Sequence, residues 1–318
     1  MSNENNSTDW CPFQGDGKVK KLKLPLAPPW RSRENRIKSY CTFSDKVKKM
    51  VSAALILRRP LLITGNPGTG KSSLAEAIRH ELNLGDEVLY WRIGTQSKLK
   101  DGLYSYDALS RLQDTQLENK EVYKKIENYL NLEALGKAFT SEKQRIVLID
   151  EIDKSPIDLP NNLLHIFEEN QFEIPEIRRL KDASFENGEG FKSIGTDGVV
   201  KCDIETFPLI IMTSNGERDF PSAFMRRCLH LKIEDPTSDE LLDIVNSHFE
   251  QIKVPLDQEK LTKTIKAFIT LRDDEENETY LATDQLLNAV YLMEEDNSID
   301  LADITDEMRL GIWKNLLG

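Results

Sequence analysis

The chain has 318 residues, enough for one large domain and a smaller companion. With 39% hydrophobic and 30% charged residues it reads as an ordinary globular protein, and no apolar run approaches the roughly 18 residues a membrane span needs. Its 42 Lys and Arg stand against 54 Asp and Glu, a net charge of −12, which argues against a surface that grips long nucleic acids by neutralising phosphates.

The opening Met1-Ser2-Asn3-Glu4-Asn5-Asn6 is polar and lacks the apolar core of a signal peptide. Cys11, Cys41, Cys202 and Cys228 are far apart, with no Cys-x-x-Cys pair, so they read as buried or incidental thiols. The expectation is a cytoplasmic protein. Residues 1–34, with Pro25, Pro28 and Pro29, read as an arm with little regular structure of its own, and Lys18-Val19-Lys20-Lys21-Leu22-Lys23 as a solvated extended segment. Ser44 is placed to cap a helix running from Asp45 to Arg58, with Val47, Met50, Val51, Leu55 and Ile56 on its apolar side.

Next comes Leu61-Leu62-Ile63-Thr64, an apolar run of strand length, followed by Gly65-Asn66-Pro67-Gly68-Thr69-Gly70-Lys71-Ser72 and a helical stretch from Ser73. Strand, glycine-rich loop and helix in that order are the context a phosphate-binding loop requires. Glycines let the backbone wrap close to phosphates, so that successive N–H groups and the helix N-terminus face negative charge. Lys71 is expected to reach the β- and γ-phosphates of a nucleoside triphosphate, and the Ser72 hydroxyl to hold Mg²⁺. The segment from Gly65 through Ser73 is the candidate nucleotide-binding set.

Glu87 to Ile93 reads as a second strand, followed by a polar connection with a helix expected near Glu121–Ala138. Arg145-Ile146-Val147-Leu148-Ile149 is almost continuously apolar, as a strand buried on both faces of a parallel sheet needs, and it ends in Asp150-Glu151. Asp150 suits the Mg²⁺ shell, because Mg²⁺ takes oxygen ligands and keeps waters. Glu151 is the candidate base that polarises the attacking water. A further apolar strand, Pro208 to Thr213, leads to Asn215, whose carboxamide can hold the water or the γ-phosphate. Arg226 and Arg227 follow, candidates for a cation donated to the γ-phosphate bound by a neighbouring subunit. Strands alternating with helices specify a three-layer α/β domain. After Asp235-Pro236 the β signal stops, and periodic stretches at 239–250, 258–272, 281–294 and 305–316 suggest helices, one with the stripe Leu261, Ile265, Phe268, Ile269.

These motifs together resemble the AAA+ ATPases, and within them the MoxR-like branch. The resemblance spans roughly residues 35–295 and is most specific at Ile149-Asp150-Glu151-Ile152-Asp153-Lys154-Ser155-Pro156, Asn161-Asn162-Leu163-Leu164 and Phe167 to Glu176. It implies a P-loop AAA+ α/β domain with a parallel central sheet at 35–234, carrying an inserted β-hairpin at about 172–203, and a small all-α lid at 235–318. Within that insert, Gly195-Thr196-Asp197-Gly198 between Phe191–Ile194 and Val199–Cys202 is a hairpin signal in its own right. By resemblance Lys71 and Ser72 match the Walker A positions, Asp150 and Glu151 Walker B, Asn215 sensor 1, and Arg227 the arginine finger, with Arg226 the next candidate. Where the family carries a sensor-2 arginine this chain has Gln285, which puts rapid hydrolysis in question. The family implies ATP and Mg²⁺, a hexameric homo-oligomeric ring, a chaperone-like motor role and a protein partner with a von Willebrand A-type domain. Two alternatives stand beside it: a nucleic-acid-directed loader or helicase component, and a slowly hydrolysing, ATP-gated scaffold.

Overall fold

The computed structural model describes residues 27–28, 30, 43–116, 125–179, 185, 190–252, 254–273 and 281–295. The basic run at 18–23, most of the arm at 1–34, Cys11, Cys41 and the helix expected at 305–316 lie outside the described residues. The chain divides into two compact units. One comprises 43–65 and 70–233, and the other comprises 66–69 and 234–318 together with the residues before 43.

The first unit opens with helix α1 (Asp45–Leu57), strand β1 (Leu61–Thr64), α2 (Lys71–Leu82), β2 (Leu89–Arg92), α3 (Leu99–Leu103), β3 (Tyr104–Tyr106) and α4 (Ala108–Gln116). It continues through β4 (Leu130–Leu132), α5 (Ala134–Thr140), β5 (Ile146–Asp150), α6 (Leu159–Glu169), β6 (Gln171–Glu173) and α7 (Pro175–Arg178). β7 (Val199–Lys201), β8 (Leu209–Ser214), α8 (Ser222–Arg227) and β9 (Leu229–Lys232) complete it. Five strands form a sheet in the order β2-β5-β8-β1-β9, and every neighbouring pair is parallel.

Alternation along the strands explains why helices cover both faces. Val147 and Ile149 of β5, with Ile210 and Met212 of β8, feed one apolar cluster, where Leu135 and Phe139 of α5 and Leu163 of α6 meet them. Ile146 and Leu148, with Leu209 and Ile211, feed the opposite cluster with Val47 and Val51 of α1 and Leu74 and Ile78 of α2. Successive side chains of a strand point to opposite faces, so a continuous apolar run needs a helix layer on each side. The three-layer parallel α/β expectation holds. Ser44 caps α1 by accepting from the Val47 N–H. Ile56, however, is 76% exposed, because it falls off the stripe set by Val47, Val51 and Ala54.

Two expectations are corrected. The helix expected near Glu121–Ala138 is instead, over its described part, a 3₁₀ turn at Ile126–Asn128, the strand β4 and the start of α5. Leu130 and Leu132 are buried around exposed Asn131, a period of two that pairs β4 antiparallel with β3, and the helical period begins only at Ala134. Gly136 permits close approach there, since a Cβ would lie 2.0 Å from the Leu103 carbonyl oxygen. The second correction concerns Phe191–Ile194, which does not pair with Val199–Cys202. β7 pairs antiparallel with β6, while Ile194 bridges Phe185 and Phe191 bridges Ser141. The turn itself forms, with the Gly198 N–H on the Gly195 carbonyl at 2.9 Å. Gly198 also accepts from the Ile174 N–H at 2.8 Å, which ties the turn to the end of β6 and sends the following strand along it. Of the segment 172–203, residues 180–184 and 186–189 lie outside the described residues.

The second unit contains α9 (Ser238–Ile252), α10 (Gln258–Arg272) and α11 (Thr283–Glu295). Their core includes Leu241, Val245 and Phe249, then Leu261, Ile265 and Phe268, and Leu286 and Val290, with Trp30 and Ile269 packed against it. Trp30 donates its indole N–H to the Asn288 side-chain oxygen at 2.8 Å and lies edge-on to Tyr291. Within the same unit the Asn66 amide donates to Asp235 at 2.8 Å. No helix among the described residues is long and apolar enough to cross a membrane.

Candidate functional site

The sheet's carboxyl edge gathers the polar residues. β1 ends at Thr64, and the loop that follows bends at Gly68 (φ +76°) and Gly70 (φ +80°), left-handed conformations that side chains with a Cβ rarely adopt. Thr69 braces the bend by donating its hydroxyl to the Asn66 carbonyl at 2.9 Å. Gly70 stands at the N-cap of α2 and brings no capping side chain, and the first turn contains no acidic residue. The N–H groups of that first turn and the positive end of the helix dipole therefore present a ready anion site.

Lys71 is 7% exposed, and its ammonium donates to the Gly65 carbonyl at 2.7 Å and to Asn215 Oδ1 at 2.8 Å. Asp150, 8% exposed at the end of β5, is held by three hydroxyls. Ser72 Oγ donates to Oδ1 at 3.1 Å, Thr213 Oγ1 donates to the same oxygen, and Tyr90 OH donates to Oδ2. Burial, and then the neighbouring Asp150, push the Tyr90 phenol up to about 12, so it remains a donor through neutral pH.

Glu151 follows in a left-handed conformation (φ 60°, ψ 47°). Among the described residues, the other non-glycine positions with positive φ are Arg58, Asn83 and Asn170, each at a helix C-cap where that conformation is ordinary. Glu151 is at no helix end of that kind. It makes the turn between β5 and the 3₁₀ turn Ile152–Lys154, with its N–H on Thr213 Oγ1 at 2.9 Å. Thr213 thus links the two adjacent acids, one through its proton and one through its lone pair. The Glu151 carboxylate pairs with Lys154 Nζ at 2.9 Å, and that bond raises the lysine's pKa.

Of the residues expected from sequence, Lys71, Ser72, Asp150 and Asn215 therefore form a set of two bonded pairs, Lys71 with Asn215 and Ser72 with Asp150, and Glu151 joins the second pair through Thr213. Ser73 is exposed on α2. Arg226 and Arg227 are not in the set. Both are exposed at the end of α8, where Arg227 pairs with Glu168 of α6 and the two carbonyls accept from Arg59. Gln285, 1% exposed, belongs to the helical unit. Its side-chain oxygen accepts from the Ala282 N–H at 2.8 Å, the returning half of a capping box at the start of α11. Sequence reasoning missed Tyr90, Thr213 and Asp153. Thr213 and Asp153 stand inside motifs already singled out, whereas nothing local to β2 marks Tyr90.

The residues fit a magnesium–nucleotide: a helix N-terminus without a capping side chain and a buried ammonium suit the phosphates, and a hydroxyl next to a carboxylate supplies hard oxygen donors for the ion. Among the described residues no group of three or more His, Cys, Asp or Glu is placed to hold a metal ion.

A parallel sheet with a glycine loop feeding a helix N-terminus, and an acid on a neighbouring strand, defines a P-loop nucleotide-binding domain. The profile of the AAA domain family, dynein-related subfamily, matches residues 60–228, more than half of the sequence, and the chain belongs to that family. No curated protein matches the sequence. Among 678 matching chains of solved structures is domain III of the replication initiation protein DnaA of Thermotoga maritima. It is 18% identical with a TM-score of 0.41, covering 92% of this chain and 98% of that one, a likeness too slight to bear on function.

Proposed function

We propose that this protein is a magnesium-dependent ATPase of the MoxR-like AAA+ type, working in a homo-oligomeric, hexameric ring as a chaperone-like motor on a protein partner. The observation that carries the ATPase reading is that two adjacent residues at the start of α2 each bond to a residue at the carboxyl end of a sheet strand, Lys71 to Asn215 at 2.8 Å and Ser72 to Asp150 at 3.1 Å.

In this reading the loop Gly65–Ser73 cradles the triphosphate, and Lys71 lies against the β- and γ-phosphates. Ser72 and Asp150 are the residues that would hold Mg²⁺, which supplies charge neutralisation across the phosphate oxygens. Tyr90 and Thr213 keep the Asp150 carboxylate in one orientation for that task. Glu151 takes a proton from the water as its oxygen bonds to the γ-phosphorus and the bond to the ADP oxygen breaks. Asn215 orients that water or the γ-phosphate. Arg227, or failing it Arg226, neutralises charge at the site of the adjacent subunit, which gives the ring its purpose. A protein partner with a von Willebrand A-type domain remains the expected substrate of the motor. The charge balance disfavours a nucleic-acid track.

The slowly hydrolysing scaffold is the second reading, favoured by one observation: Gln285 caps α11 and carries no charge. Phosphate release from purified protein separates the two. As a motor the wild type turns over ATP steadily, and Glu151→Gln retains binding while losing roughly 10²–10⁴ in turnover. Turnover equal to wild type would remove Glu151 from its role. Light scattering with a slowly hydrolysed ATP analogue should show a hexamer-sized species, and a persistent monomer would favour the scaffold.

A further inference from the structure

We propose that Asp153 is a positioning residue that sets Asn215 against Lys71. The inference rests on the reading of Asn215 given above and deepens it. The 3₁₀ turn Ile152–Lys154 directs Asp153 inward, where it is 5% exposed. A single oxygen, Oδ2, accepts the Asn215 N–H at 2.8 Å and the Glu217 N–H at 3.2 Å. The two donors flank Gly216, whose φ of +79° turns the chain after β8. One carboxylate oxygen thus clamps both sides of that turn.

The clamp acts on the residue whose side chain meets the lysine. Asn215 Oδ1 accepts from Lys71 Nζ at 2.8 Å, so fixing the Asn215 main chain fixes the pivot from which its amide reaches. Bonds from backbone N–H to an ionised carboxylate are shorter and stronger than neutral ones, which suits a clamp, and further along the same loop Arg218 bonds to the Ser155 carbonyl and hydroxyl. Ser214 contributes only a local bond, from the Gly216 N–H to its own hydroxyl. The other carboxylate oxygen, Asp153 Oδ1, is buried with no hydrogen-bond partner among the described residues. A buried polar oxygen left unpaired costs stability, so the clamp does not serve stability alone. Asp153 also stands two residues after Glu151, so the 3₁₀ turn that begins at the proposed base ties it to the sensor.

The test uses the full-length protein, with ATP turnover, ATP titration and melting temperature measured for Asn215→Ala, Asp153→Ala, Asp153→Asn, Asp153→Glu and the Asp153→Ala/Asn215→Ala double variant. Asp153→Ala is expected to lower kcat by about 10- to 100-fold with little change in KM, the scale of a misplaced catalytic group. Asp153→Asn, which still offers an oxygen to both N–H groups, should recover most of that loss. Asp153→Glu keeps the charge but moves the oxygen by one methylene, and it should remain slow; it also serves if the alanine variant does not fold. In the Asn215→Ala background the Asp153 change should cost less than about twofold, because residues that act as one unit are not additive. Full additivity, or Asp153 variants that melt early with kcat unchanged, would overturn the inference. Asn215→Ala with normal turnover overturns the sensor reading itself, whereas a slow Asn215→Ala beside a normal Asp153→Glu overturns only the positioning role.

Discussion

The α/β unit and the helical unit both bury polar side chains, but they spend them differently. In the α/β unit, Lys71 bonds to a residue 144 positions away, Ser72 to one 78 away and Thr213 to one 63 away. In the helical unit the buried Gln285 accepts from a residue three positions back, and Thr264 donates to one four back and to the Met293 sulfur at 3.7 Å. Local bonds of the second kind satisfy a helix end or a hydroxyl and hold one element together. Long-range bonds of the first kind need several strands to end at one place, and their loss disturbs many segments together. Burial of a polar group therefore points to a site when several polar partners from distant parts of the chain meet at one place.

The largest expected effect probes where the long-range network stops. Arg227 is outside it, exposed and paired with Glu168 within the same chain. Should its purpose lie in a neighbouring subunit's site, Arg227→Ala lowers turnover by roughly 10³ or more in the assembled ring and leaves the melting temperature nearly unchanged. Normal turnover for Arg227→Ala beside a slow Arg226→Ala would shift the role by one residue. Loss of stability with no loss of turnover would make the Glu168 pair structural.

A smaller effect tests the local kind directly. Gln285→Ala leaves the buried Ala282 N–H without its acceptor, which costs roughly 1–3 kcal/mol. Calorimetry should register this as a lower melting temperature, while turnover measured well below the transition stays close to wild type. Gln285→Arg should destabilise further, since it places a guanidinium at a position that is 1% exposed. An arginine variant that is stable and hydrolyses faster would instead reveal a sensor position, and would erase the contrast between the units.

The smallest effect concerns a buried group of the α/β unit outside the network. Burial pushes the Cys228 thiol up to about 12, and the thiolate is the reactive form. Iodoacetamide at mildly alkaline pH should leave Cys228 unmodified in the native protein and label it only after unfolding, as read by peptide mass spectrometry. Rapid native labelling would show that the end of α8 opens readily.

Much of this was legible in the sequence where the signal is local or periodic. The run Ile146–Ile149 announces a doubly buried strand, and the glycines before Lys71 announce a loop with special backbone angles. The stripe Leu261, Ile265, Phe268 gives α10 its buried face. What escaped depends on partners far away. β9, Leu229–Lys232, has only Leu231 fully buried and reads as a surface segment until β1 is seen beside it. Tyr90 sits on the exposed side of β2, and only the parallel register that sets Arg92 against Asp150 brings its hydroxyl to the acid. The Asp-Gly turn at 197–198 was read correctly as a turn, yet its arms chose β6 and Phe185, because pairing is decided by which buried neighbours each strand finds.

The central claim, that Lys71 and the Asp150 set grip one magnesium–triphosphate, is tested most directly by calorimetric titration of Mg-ATP into wild type and Lys71→Ala. The account predicts saturable binding to the wild type and none, or binding without phosphate release, for the variant. Undiminished affinity together with normal turnover in Lys71→Ala would contradict it.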